Sequence, residues 1–427
     1  MSSIEKRFLF LQGPHGPFFC QLARNLRKAG HKTWRVAFNS GDQLFWAQRR
    51  NLIRFTDTAE NWPKTCQDLL DKHQITDIVL YGEARAHHAE AARIAKERGL
   101  RVHFFEEGYM RPYWVTYERG GTNGNSRLME IPVSEMARQL GKCDLRPPPA
   151  PAHWGEMRQH VFYGALYHYF VLGLNWRFRK FLPHRGISVG AEFRHYIRRL
   201  FLMPAQAVHR AIMTRKALRG GFPYHLVLLQ LEHDASFRAH SPFKSGAEFM
   251  EICVRGFAKG APPHHRLVFK AHPLEDGRAR QRVKLRKLAK KYGVADRVFY
   301  IRGGKLAYLL RTATSAITVN STAAQQVLWR GLPLKSFGKA VYTKPEFVSP
   351  QGIEAFFRNP MVPDLDAYHT YRRFLMETSQ ITGGYYSRAG REALLRRATD
   401  LVLQDSDTYS RLARPDAAPQ QHLAAVQ

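Results

Sequence analysis

From Arg7 onward, short apolar runs alternate with stretches of helical spacing. Arg7 to Gln12, Thr33 to Phe38, Asp77 to Tyr81 and Arg101 to Phe105 read as strands, and Phe19 to Ala29 and Ala86 to Arg98 as helices. This alternation predicts a parallel, doubly wound sheet. A second series begins at Tyr224 to Gln230 and continues through Arg266 to Lys270, Arg297 to Ile301 and Ser315 to Val319, a second Rossmann-like half. Between the halves lie the Pro-rich run Arg146 to Pro151 and a segment to Gly220 dense in aromatic and arginine residues. The pattern divides the chain into an N-terminal Rossmann-like domain (1–145), a Pro-rich linker with a basic amphipathic helical segment (146–220), a second Rossmann-like domain (221–358), and C-terminal helices with a polar tail (359–427). No internal repeat is evident.

Composition narrows the class. With 427 residues, 44% apolar and 12% aromatic, the chain can build two cores and is not disordered. Its formal charge of +31 calls for a polyanionic environment: nucleic acid, anionic lipid or phosphorylated substrate. From Ala152 to Gly220, twelve Lys/Arg stand against two Glu, a charge distribution that suits either an anionic membrane surface or an ordinary solvated basic face. The four cysteines, Cys20, Cys66, Cys143 and Cys253, lack metal-like or redox-like spacing and fit a reducing compartment. The N-terminal apolar run breaks at Gly13-Pro14, so no export signal is expected. His160 to Leu174 is too short to span a bilayer. The expected location is cytoplasmic, with any membrane contact peripheral.

Candidate chemistry clusters where strands end. The loop Gly13-Pro14-His15-Gly16-Pro17 follows the first strand and lets backbone approach a ligand, but it is not GxGxxG and implies no dinucleotide. Glu106-Glu107-Gly108 closes the strand from Arg101 and leads into a stretch rich in loop residues, with Arg111 and Asn123 beyond it. Two adjacent carboxylates there fit either an active-site edge or a solvated turn. Lys270, His272 and Pro273 place an ammonium and an imidazole at another strand end, where both can meet phosphate oxygens. Asn320-Ser321-Thr322 sits between a buried strand and helical spacing that reaches Gly331, as an anion site, a helix cap or both. Gln230, Glu232, His233 and Asp234 follow the strand from Tyr224, and Asp234 is a nucleophile, a base or a turn residue. No DxD lies between a strand and its loop and no ligand-spaced His/Cys set is present, so no metal is expected.

Together these motifs resemble bacterial glycosyltransferases of GT-B type that use CMP-activated ulosonic acids. The stretches LQGPHGPFFCQLARNLRKAGHKTWRVAFNSGD and EEGYMRPYWVTYERGGTNGNS are similar to the capsular polysaccharide synthesis and export proteins of the KpsS/LipB type, and the likeness runs from about Arg7 to at least Lys344. It implies two Rossmann-like domains facing a cleft and a retaining, metal-independent β-Kdo transferase that needs no cofactor. The donor would be CMP-Kdo and the acceptor an anionic lysophosphatidylglycerol on the inner face of the inner membrane. The product would begin the Kdo linker of a capsule. One catalytic module, rather than two in tandem, favors the initiating enzyme. A two-module Kdo transferase and the capsule ABC transporter are implied as possible partners, and nucleic acid is not.

Carried over residue by residue, the resemblance gives Lys270, His272, Pro273, Gln230, Asn320, Ser321 and Thr322 to the CMP-sugar, and Gly13, His15, Gly16, Arg111 and Asn123 to the acceptor side. Glu106 or Glu107 would assist the sugar or acceptor, and Asp234, with Glu232 as rival, would be the nucleophile. The alternatives are another CMP-sugar transferase of sialyltransferase kind, a non-catalytic export component, and a nucleic-acid module. The last would explain the charge, yet no nucleic-acid motif is present.

Overall fold

The computed structural model describes residues 5–141, 157–181, 189–232, 234–275 and 277–414. The chain forms two compact units. The first comprises Met1–Arg127, Ser134–Gly186 and Arg372–Gln427, and the second Leu128–Val133 and Ile187–Tyr371.

The sheet of the first unit contains β1 (Arg7–Phe10), β2 (Lys32–Ala37), β3 (Leu52–Arg54), β4 (Asp77–Tyr81), β5 (Arg101–Glu107) and β6 (Trp114–Arg119). A seventh strand, numbered β12 in chain order (Gln380–Thr382), joins it from the C-terminal part of the chain. Their order is β12-β6-β5-β4-β1-β2-β3. The five strands from β5 to β3 are parallel, whereas β6 runs antiparallel to β5 and β12 antiparallel to β6. Successive side chains of a strand point to opposite faces, and β1 shows it: Phe8 and Phe10 enter one core with Phe18, Phe19, Phe105 and Tyr385, while Leu9 and Leu11 enter another with Val36, Ile78 and Leu80. Each such fully buried side chain contributes about 1.5–3 kcal/mol. The helix Phe18–Lys28 forms because Phe18, Phe19, Leu22, Ala23 and Leu26 recur on one face, with Arg27 and Lys28 suited to its C-terminal dipole.

The second unit repeats the plan. Its strands are β7 (Tyr224–Leu228), β8 (Arg266–Ala271), β9 (Val298–Arg302), β10 (Ala313–Thr318) and β11 (Leu334–Ser336), all parallel in the order β11-β10-β7-β8-β9. Read from its own first strand, each parallel sheet has the Rossmann order 3-2-1-4-5. Strand order therefore reverses between β1 and β4 in one unit and between β7 and β10 in the other, and ligands of such sheets bind beyond the carboxyl ends of those strands. The helix Gly246–Gly260 starts on Ser245, whose hydroxyl accepts from Glu248 N, while Glu248 reaches back to Lys244 N. Buried Lys344 fastens Leu128–Val133 to this unit by donating to the carbonyls of Leu128, Met129 and Ile131.

Two boundaries differ from those read in the sequence. The segment 146–220 is not one insertion: the helix Met157–Gly173 lies in the first unit and the helix Val189–Arg219 in the second. The part after 359 is not a separate region, because Arg372–Gln427 completes the first unit and supplies β12. The Pro-rich run, Cys143 and the polar tail lie outside the described residues. Cys20, Cys66 and Cys253 are buried free thiols. Among the described residues no helix is long and apolar enough to cross a membrane.

Candidate active site

At the switch point of the second unit, the chain leaves β7 at Gln230 and β10 at Asn320. The two side chains clamp each other: Gln230 Nε2 donates to Asn320 Oδ1 at 2.7 Å, and Asn320 N donates to Gln230 Oε1 at 3.0 Å. Beside them Lys270, the next-to-last residue of β8, is paired with Leu228 of β7. Lys270 is only 6% exposed, and among the described residues its ammonium makes one weak contact, 3.5 Å to the Ala271 carbonyl. Burial pushes its pKa down. His272 follows directly, and its Nδ1 accepts from Leu274 N at 3.1 Å. Pro273 opens the turn that closes when Glu275 N donates to the His272 carbonyl.

The Ser321-Thr322 turn is tighter than expected. The helical spacing to Gly331 yields only the short helix Ala324–Leu328, and Ser321 Oγ accepts from Ala323 N at 3.2 Å, a local cap. Both residues stay half-exposed. Asp234 is exposed at the start of the short helix Ala235–His240: its N–H donates to the Leu231 carbonyl and its own carbonyl accepts from Arg238 N. Glu232 is half-buried, with Oε1 4.0 Å from Lys284 Nζ and close against Gly246, where a Cβ would come within 2.8 Å. His233 lies outside the described residues.

In the first unit, Glu106 and Glu107 end β5, and strand geometry separates them. Glu106 Oε2 accepts from Asn123 Nδ2 at 2.6 Å, whereas Glu107 Oε1 accepts from the hydroxyls of Tyr81 and Tyr386, both at 3.2 Å. They are not interchangeable carboxylates, since neighbors on a strand face opposite ways. Gly108 is required by packing: a Cβ there would lie 2.3 Å from Trp114 O and 2.6 Å from Met110 O. The stretch after it, read as loop, contains strand β6, because Val115 and Thr116 pair with Glu107 and Glu106. Arg111 is exposed, and its Nε donates to Gly108 O at 3.3 Å.

The Gly13 to Gly16 loop follows β1. Gly13 is pressed on the Phe19 ring, where a Cβ would meet Cδ2 at 2.7 Å, and Gly16 adopts φ +125° next to Tyr163. His15 stacks on Tyr167, centroids 4.1 Å apart.

Three residues of this unit escaped the sequence reading. Gln12, just beyond β1, donates to Asp42 and to the Tyr167 hydroxyl and accepts from Arg85, so it is the hub of the switch point. Glu83, beyond β4, accepts from Thr122 N and Asn125 Nδ2 and shapes the Asn123 turn. Glu118 on β6 is 2% exposed and accepts from Tyr109, Ser126 and Tyr409 hydroxyls. None belongs to a recognizable motif. A Gln at a strand end was the only available signal.

Burial raises the Glu118 carboxyl to about 7 against the pull of its three hydroxyl partners. The folded protein therefore holds a proton that an unfolded glutamate, with pKa near 4.3, has lost. Stability falls as pH rises between those values, by up to about 4 kcal/mol, and is level above. Glu118→Gln is expected to flatten that slope in urea midpoints measured from pH 5 to 7.5; an unchanged slope would exclude Glu118 as its source.

Two α/β units of the same strand order, each gathering polar side chains at its switch point, define a protein of the double Rossmann-like class. A model of the capsule polysaccharide biosynthesis protein family matches residues 76–386, and the chain belongs to that family. It is 30% identical over 386 residues to the capsule polysaccharide export protein KpsS of Escherichia coli, covering 89% of this chain and 97% of that one. It is 28% identical over 393 residues to the capsule polysaccharide modification protein LipB of Neisseria meningitidis serogroup A, covering 90% and 92%. Among solved structures, the KpsC beta Kdo 2,7 transferase of Thermosulfurimonas dismutans aligns with a TM-score of 0.44 and 14% identity over 93% of this chain and 100% of that one.

Proposed function

We propose that this capsule biosynthesis protein is a GT-B-like, retaining β-Kdo transferase that moves Kdo from CMP-Kdo to a lysophosphatidylglycerol acceptor at the cytoplasmic face of the inner membrane, without a metal or cofactor. The observation that carries the proposal is Lys270: a buried ammonium with one weak contact among the described residues, at the carboxyl edge of a parallel sheet and beside its switch point. A buried cation is costly unless an anion meets it. The CMP phosphate supplies that anion, with His272 as a second donor and Gln230, Asn320, Ser321 and Thr322 lining the same edge.

In the first step the Asp234 carboxylate attacks the anomeric carbon, the bond from that carbon to the phosphate oxygen breaks, and CMP departs with the electron pair. In the second an acceptor hydroxyl attacks the glycosyl ester, its proton passes to a base, and the carboxylate is released. Glu106 and Glu107 are assigned to the sugar or acceptor. The acceptor-side residues are Gly13, His15, Gly16, Arg111 and Asn123.

The test is transfer from CMP-Kdo generated in situ to a fluorescent lysophosphatidylglycerol, with CMP binding followed by calorimetry. Lipid-linked Kdo and saturable CMP binding are expected. CMP binding without product would replace the sugar or acceptor, and a folded protein that binds no CMP would overturn the enzyme reading in favor of a non-catalytic export component.

A further inference from the structure

A cavity of about 440 Å³ runs along β9, the edge strand of the second unit, between the helices Val189–Arg219 and Gln281–Lys291. His209 and Met213 line it from the first helix, Arg282, Arg286 and Lys290 from the second, and Phe299 from the strand. The three cations stand at i, i+4 and i+8 on one helical face, where like charges repel and destabilize the helix. Among the described residues none of the three has a carboxylate or hydrogen-bond partner, and no acidic residue lines the cavity. The His209 imidazole is pushed down by burial and then by Arg282 and Arg286, which reports the same concentrated positive potential.

The rim is apolar. Val208 is 60% exposed, Ile212 59% and Val283 52%, each next to or one turn from a lining residue. Exposed aliphatic side chains on the helices that line a cationic hollow would be left in water by nucleic acid or a free sugar phosphate. They suit a surface that offers phosphate and hydrocarbon together.

We infer that this cavity seats the phosphate headgroup of an anionic bilayer lipid, with Val208, Ile212 and Val283 entering the acyl boundary beside it. The site holds the second unit to the membrane. It does not depend on sugar transfer and involves none of the residues assigned to it.

The full chain is tested by flotation with phosphatidylcholine vesicles containing no or 30% phosphatidylglycerol. Arg282→Gln/Arg286→Gln is expected to weaken binding to the anionic vesicles about tenfold or more, since each basic residue near such a surface contributes about one factor of five to ten. Removing the same charge at exposed Lys64 and Lys72 of the first unit should leave binding within about threefold. Equal losses in both pairs would reduce the effect to net charge, and no loss in the Arg pair would overturn the site. If the Arg variant does not fold, hydrogen exchange of the wild type decides: anionic vesicles should protect 204–215 and 281–291, and unchanged exchange in both overturns the inference. Transfer to a short-chain soluble acceptor should be unaffected by the Arg substitutions, which separates this result from failure of the transferase reading.

Discussion

Asp234→Asn is expected to abolish Kdo transfer, lowering kcat about 10⁴-fold or more, while Glu232→Gln keeps activity within about tenfold and both variants bind CMP as the wild type does. The physical reason is access. Asp234 is an exposed residue beyond β7, held at the start of its helix by backbone bonds to Leu231 and Arg238. Glu232 is half-buried, with Oε1 shielded from solvent and close against Gly246. Steady-state rates on the lysophosphatidylglycerol acceptor decide between them. Activity retained in Asp234→Asn and lost in Glu232→Gln would make Glu232 the nucleophile, and activity in both would exclude a covalent intermediate on this segment.

Lys270→Met should lower kcat/KM about 10²–10³-fold, the loss seen when one preorganized donor is removed from a developing charge. It should weaken CMP binding too, because in the proposed complex the ammonium would meet the phosphate in the ground state as well. Stability should move the other way. Burial holds the Lys270 pKa below its ordinary value, so the folded state pays for keeping this group charged at neutral pH. With the sign worked out, the unfolded chain binds more protons between the lowered pKa and the usual one near 10.4, and stability rises with pH across that window. Methionine removes the charge and fills similar space, so Tm should stay level or rise while activity falls. A variant that loses activity and Tm together would make Lys270 a structural residue.

Much of this was legible along the chain. Strands β1, β2, β4 and β5, and later β7 to β10, are compact apolar runs with helical spacing between most of them, and local period alone located them to within a few residues. Strand-end polar residues such as Gln230, Lys270 and Asn320 followed, because a doubly wound sheet puts its ligands at carboxyl edges. Glycine at 108 was visible as a residue, but its necessity came only from the carbonyls of Met110 and Trp114 that crowd it.

The sequence by itself determined the class: two parallel α/β halves, a basic chain, and a set of cationic and carboxylate groups at strand ends. Those are properties of neighbors in the chain, set by periodicity and composition. Tertiary structure alone decided what depends on distant partners. Strand β12 exists because Gln380 to Thr382 meet Thr116 to Trp114, more than 260 positions away, and a three-residue run has no signal of its own. Glu106 and Glu107 read as one motif, yet pleating sends one to Asn123 and the other to Tyr81 and Tyr386. Glu118 looked like an ordinary polar residue until burial among three hydroxyls raised its pKa to about 7. Arg282, Arg286 and Lys290 drew no reading from the sequence, and they line a cationic cavity only because His209 and Met213 are folded against them.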